Sequence, residues 1–215
     1  KMKKVLLLGD SIRQGYDRFV KTAFEGKAEV YYPGDNCRFA QYILRTLHDW
    51  KDELKLGDDV DCVHWNAGLW DTLILYNDGV LTPLSAYENF IDRICRRIKV
   101  LFPGADIIFA ASTPVLEDMF PEPWKGMRYN KDIEIFNNAA AEIVIKNGGK
   151  INDLYGLLCN APREFHSDMT HFYTKEATKV ITDKVVSVIE DSIGVRAEKI
   201  DYDKFFAGQD NVLGI

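Results

Sequence analysis

Val5-Leu6-Leu7-Leu8-Gly9-Asp10-Ser11-Ile12 is the stretch whose reading decides the fold. An unbroken apolar run gives way to Gly-Asp-Ser before a helical pattern begins, which reads as a buried parallel strand, a tight turn and a capped helix. Open α/β sheets bind ligands beyond the carboxyl ends of their strands, and a helix N-terminus presents unpaired N–H groups to negative charge. Ser11 therefore stands where a nucleophile would have oxyanion donors beside it. The same tripeptide is also ordinary capping chemistry, with Asp10 as the cap. Residues far along the chain separate the two readings.

The pattern outward from that stretch repeats. A helix from Ser11 to about Phe24 leads to a second strand, Ala28 to Tyr32, and the polar loop Pro33-Gly34-Asp35-Asn36. Cys37 to Leu54 carries Phe39, Tyr42, Ile43, Leu47 and Trp50 at helical spacing, and Val60 to Asn66 is the third strand, ending in Ala67-Gly68-Leu69-Trp70-Asp71. A loop from Leu73 to Leu84 precedes a helix over Ser85 to Phe102, stopped by Pro103-Gly104; a fourth strand covers Asp106 to Ala111. Val115 to Tyr129 is a loop rich in Pro, Met, Phe and Trp, followed by a helix over Asn130 to Lys146. Lys150 to Leu154 predicts a short fifth strand and a brief turn, and Thr174 to Ile193 a last helix. Strands alternating with helices predict an α/β/α sandwich, one five-stranded parallel sheet covered on both faces. One domain over 1–215 is expected, with the aperiodic tail 195–215 packed on it or on a partner through Tyr202, Phe205 and Phe206.

Composition narrows the function. The 27 Lys plus Arg are outnumbered by 33 Asp plus Glu, with no basic run to track a phosphate backbone, so nucleic acid and anionic membranes are poor partners. Cys37, Cys62, Cys95 and Cys159 form no C-x-x-C pair, and no metal-ligand spacing joins them to histidine; they read as free thiols, which favours a cytoplasmic, reducing setting. No apolar stretch reaches the roughly 20 residues of a membrane span and no signal peptide is visible, although a start at Lys1 is compatible with a removed leader.

Asp168 and His171 lie three apart in the polar loop before the last helix. A carboxylate held beside an imidazole by so short a tether can fix its tautomer and stabilise the imidazolium, which a serine nucleophile requires of its base. His166 is the alternative base in this loop. His64, in the middle of the third strand, reads as a core histidine, and His48 as a surface one.

Together, Gly9-Asp10-Ser11-Ile12 and Asp168-Met169-Thr170-His171 resemble the two terminal motifs of the SGNH (GDSL-type) hydrolase superfamily, over Lys4 to about Ile193. That resemblance implies a flavodoxin-like fold and esterase activity, with Ser11 as nucleophile, His171 as base and then acid, and Asp168 as the orienting carboxylate. It also implies an oxyanion hole built from Ser11, a residue after the second strand and one in the third motif. Arg38, or Cys37, aligns with the second donor, where the family usually has glycine. The third motif, usually G-x-N-D, reads Gly68-Leu69-Trp70-Asp71, so Trp70 stands in place of the asparagine. Its indole N–H is one replacement for the missing donor, with Asn66 and Asn36 as rivals; in the other reading Trp70 is a pocket wall and two backbone N–H groups suffice.

The expectation is thus a cofactor-free, metal-free serine esterase for a short-chain acyl ester, O-acetyl on a carbohydrate being favoured by analogy. Asp10, Asn36, Gly68 and Trp124 are the expected substrate contacts, Asp10 doubling as cap. Two other readings are a non-catalytic carbohydrate-binding relative and an acyltransferase or lipid-directed thioesterase. A homo-oligomer is compatible with the aromatic loop.

Overall fold

The computed structural model describes residues 1–122 and 125–208. Strands β1 (Lys3–Leu8), β2 (Ala28–Tyr31), β3 (Cys62–Trp65), β4 (Asp106–Ala110) and β5 (Lys150–Asn152) form one parallel sheet in the order β2-β1-β3-β4-β5. Val5 pairs with Val30 on one side and Cys62 on the other, so β1 is an interior strand and Val5 to Leu8 lose all contact with water. A strand buried on both faces needs apolar side chains at every position rather than at alternate ones. Leu6 and Leu8 enter one core layer and Val5 and Leu7 the other, as the strand's two-residue period requires.

Helices α1 (Ser11–Ala23) and α6 (Lys175–Ile193) cover one face of the sheet; α2 (Ala40–Glu53), α3 (Leu84–Leu101) and α4 (Asn130–Lys146) cover the other. The expected α/β/α sandwich with five parallel strands is the architecture observed. Chain direction across the sheet reverses between β1 and β3, which opens the crevice where such sheets bind ligands. The loops leaving these two strands hold Ser11 and Trp70.

Three local differences have physical causes. Helix α2 starts at Ala40 rather than Cys37, because the Cys37 N–H donates to the Gly9 carbonyl at 3.0 Å and Arg38 adopts φ 51°. The chain after β5 forms a short helix, α5 (Leu154–Leu158), capped by Asp153, where only a turn was expected. The tail returns to α1: Glu198 N–H donates to Ala23 O, and a last turn of helix, α7 (Tyr202–Phe205), helps stack Tyr202 and Phe206 on Phe19. Among the described residues no helix is long and apolar enough to cross a membrane.

Candidate active site

The Ser11 turn is shaped by what surrounds Gly9. A Cβ built there would sit 1.9 Å from Asn66 Oδ1, and φ is +155°, so the close approach of the β1 and β3 ends admits only glycine. Asp10 caps α1, its Oδ1 accepting the Ile12 N–H at 2.9 Å. Burial pushes its carboxyl above the usual range, opposed by the Asn66 side chain, the Ile12 N–H and the Arg128 charge. This is a correction to the expected substrate contact: Asp10 is fully buried and is occupied as a helix cap.

Arg13, one turn into α1, is 1% exposed. Its guanidinium pairs with Asp17 and donates to Pro33 O at 3.1 Å and Asp35 O at 2.6 Å. A buried cation thereby ties the loop after β2 to the helix that begins with Ser11.

The Asp168 loop approaches from the other end of the chain. Asp168 Oδ1 accepts the N–H groups of Thr170 at 2.7 Å and His171 at 2.8 Å, while Oδ2 lies 2.7 Å from His171 Nδ1. Partial burial raises the affinity of this carboxyl for protons, but the His171 ring and the two N–H groups outweigh it and hold Asp168 well below the usual carboxylate range. An ionised carboxylate can only accept, so the proton belongs on Nδ1, leaving the Nε2 lone pair for Ser11 Oγ at 2.8 Å. The side chain of His171 stays 26% exposed, so a small molecule from solvent can reach this line.

The other histidines lie elsewhere. His166 packs its ring against Phe172, centroids 3.9 Å apart, and His64 is buried with Nε2 3.0 Å from Asn152 Nδ2. Burial pulls His64 down to about 3, which keeps it neutral.

The expected oxyanion donors fare differently. Ser11 is the first residue of α1, so its N–H has no helical acceptor. Arg38 occupies the left-handed backbone that suits the family's glycine, but its N–H donates to Asn36 Oδ1 at 2.9 Å. That corrects the Arg38 expectation: the donor is already engaged. Asn36 also donates its Nδ2 to Gln14 Oε1, so both ends of this expected substrate contact are held within the protein. Trp70 is half-buried, and its indole N–H makes no hydrogen bond to another described residue. Gly68 is buried, and a Cβ there would sit 2.3 Å from Ser112 Oγ; its role is close packing of two loops, which corrects its expected substrate contact. The expected contact at Trp124 lies outside the described residues.

Asp71 closes the third motif and accepts the Ala40 N–H, capping α2 from a distance because Phe39 has no side-chain oxygen to do so. Burial pushes its carboxyl up to about 6, against the pull of Thr82 and the Ala40 N–H. Three residues here were not foreseen from the sequence: Arg13, Arg128, and Tyr173, whose hydroxyl donates to the Ser11 carbonyl at 2.7 Å. The Arg13/Asp17 pair at helical spacing was a visible signal, although its burial was not; for Arg128 no local signal existed.

The five parallel strands, in the order 2-1-3-4-5, carry a hydrogen-bonded serine, histidine and aspartate at the switch point between β1 and β3. The solved structures similar to this chain share that fold. A lipase/acylhydrolase from Enterococcus faecalis superposes with a TM-score of 0.68 at 17% identity, over 93% of this chain and all of that one (100%). A GDSL-like lipase from Bacteroides thetaiotaomicron gives 0.68 at 17% identity over 89% of each chain. An acetyl xylan esterase gives 0.65 at 18% identity, over 86% of this chain and 99% of that one. No family model and no curated protein matches the sequence.

Proposed function

We propose that this protein is a serine ester hydrolase of the SGNH type. The observation that carries the reading is the continuous line Ser11 Oγ to His171 Nε2, 2.8 Å, and His171 Nδ1 to Asp168 Oδ2, 2.7 Å. Ser11 attacks the acyl carbonyl as its hydroxyl proton passes to Nε2, and Asp168 stabilises the imidazolium. The tetrahedral oxyanion is held by the Ser11 N–H at the positive end of α1 and by the Trp70 indole N–H. Collapse breaks the ester C–O bond, and His171 returns the proton to the departing alcohol. Water, deprotonated by His171, then releases the acid and regenerates Ser11.

A short acyl group, O-acetyl on a carbohydrate, is the substrate class we favour. The half-buried indole of Trp70, on the loop leaving β3, suits a sugar face, and one protein of similar fold is an acetyl xylan esterase. The test is hydrolysis of 4-nitrophenyl acetate and longer esters by wild type, Ser11→Ala and His171→Ala, with fluorophosphonate labelling of Ser11. Turnover that survives both substitutions, or an unlabelled Ser11, rejects the proposal.

A further inference from the structure

Arg128 is a half-buried cation whose charge acts on Asp10, the residue before Ser11, and on Asp168, the partner of His171. Its Nε donates to the carbonyl of Leu69, the residue before Trp70. The backbone on either side is pinned. Met127 exchanges two 2.9 Å hydrogen bonds with Ile74, and the Asn130 side chain exchanges two of 2.9 Å with the backbone of Val115. The same segment reaches the other half of the site, since Leu116 N–H donates to Met169 O at 2.9 Å, between Asp168 and His171. Arg128 thus belongs to a strap joining the Trp70 loop to the His171 loop.

Its charge is not spent within the strap. Of the described basic residues from 115 to 129, Lys125 pairs with Glu122, whereas Arg128 forms no salt bridge to any described residue. Burial lowers its proton affinity, and the fields of Asp10 and Asp168, the carboxylates flanking Ser11 and His171, act against that. A guanidinium carries five N–H donors, of which the Leu69 carbonyl takes one. Such a group, held in place and partly desolvated, suits bidentate recognition of a planar or tetrahedral anion.

We propose that Arg128 is a substrate-binding residue that selects esters carrying an anionic group, a carboxylate above all, close to the scissile bond. This rests on the serine-esterase reading and narrows it from acyl esters in general to acidic ones. The cation is preorganised, so the ordering cost of capturing the anion is already met in the free protein.

The experiment compares matched esters with the negative charge on either side of the bond. Mono-4-nitrophenyl succinate is set against 4-nitrophenyl butyrate, and 4-acetoxybenzoate against its methyl ester. Wild type should favour one anionic member over its neutral partner in kcat/KM, and Arg128→Gln should lower that ratio about ten-fold, chiefly through KM. Arg128→Lys should recover part of it. Added salt should erode the preference in wild type and not in Arg128→Gln. Equilibrium binding of the corresponding anilides, N-(4-nitrophenyl)succinamate and 4-acetamidobenzoate, to Ser11→Ala gives a readout independent of turnover, with about ten-fold weakening expected when Arg128→Gln is added. An unchanged ratio, or equal binding with and without Arg128, overturns the inference. Absence of turnover with intact Arg128-dependent anion binding would instead count against the esterase reading alone.

Discussion

Tyr173 donates its hydroxyl to the backbone carbonyl of Ser11 at 2.7 Å while its ring stacks on His171, centroids 4.7 Å apart and planes 19° from parallel. One side chain therefore sets both the height of the serine and the plane of the imidazole. Gly15 leaves the room for it, since a Cβ there would lie 2.9 Å from Tyr173 Cε1. Tyr173→Phe keeps the stack and removes the hydrogen bond. It should cost about 1 kcal/mol in urea unfolding. Misplacing the serine should lower kcat for 4-nitrophenyl acetate by roughly five-fold. An unchanged kcat would show that the bond does not position Ser11.

Asp168→Asn separates orientation from folding. The amide oxygen can still accept the Thr170 and His171 N–H groups, but its NH2 then faces His171 Nδ1 and favours the wrong tautomer. We expect kcat to fall about 10³- to 10⁴-fold with little change in Tm. Steady-state kinetics beside a thermal melt decides; a fall of less than ten-fold rejects the orienting role.

Arg13 and Asp17 are both nearly buried, at 1% and 9% side-chain exposure. Arg13→Ala strands the Asp17 carboxylate and removes donors from Pro33 O and Asp35 O, and should cost about 3–5 kcal/mol. Replacing both, as Arg13→Met with Asp17→Leu, should cost less than the sum of the single changes in the same denaturant titration. Additive costs would mean the pair is not coupled.

Asp71 gives a pH dependence with a definite sign. Burial raises its carboxyl to about 6 in the native state, above the roughly 3.9 of an unfolded chain. The native protein then binds the proton more tightly, so stability from this group is fullest below about pH 4 and declines as pH rises through 6. Two pKa units correspond to about 3 kcal/mol. The unfolding free energy of wild type minus that of Asp71→Asn should fall by about that amount between pH 4 and 7, and a flat difference would contradict the assignment.

Trp70→Phe keeps an aromatic ring, though a smaller one, and deletes the indole N–H. If that group holds the oxyanion, kcat for an activated ester should drop about 100-fold with KM little altered. An unaltered kcat assigns Trp70 to the pocket wall.

The alternation of strands and helices was legible because periodicity, caps and breakers act within a few residues. Leu6 and Leu8 on one core face, Val5 and Leu7 on the other, follow from the strand repeat alone. The Asp168/His171 pair was legible for the same reason, its hydrogen bonds spanning only three residues. Arg38 was legible in its backbone but not in its donor, because whether an N–H is free depends on where Asn36 turns its side chain.

Local chemistry thus dictated the parallel α/β frame and marked Ser11, Asp168 and His171 as groups able to react. Their meeting, and the company they keep, was settled by folding: Ser11 and His171 are 160 residues apart, and Arg128 lies 59 residues from the carbonyl that holds it. Hydrophobic burial selects such neighbours through the packing of whole layers, and no window of sequence encodes which cation is left without a carboxylate when the layers close.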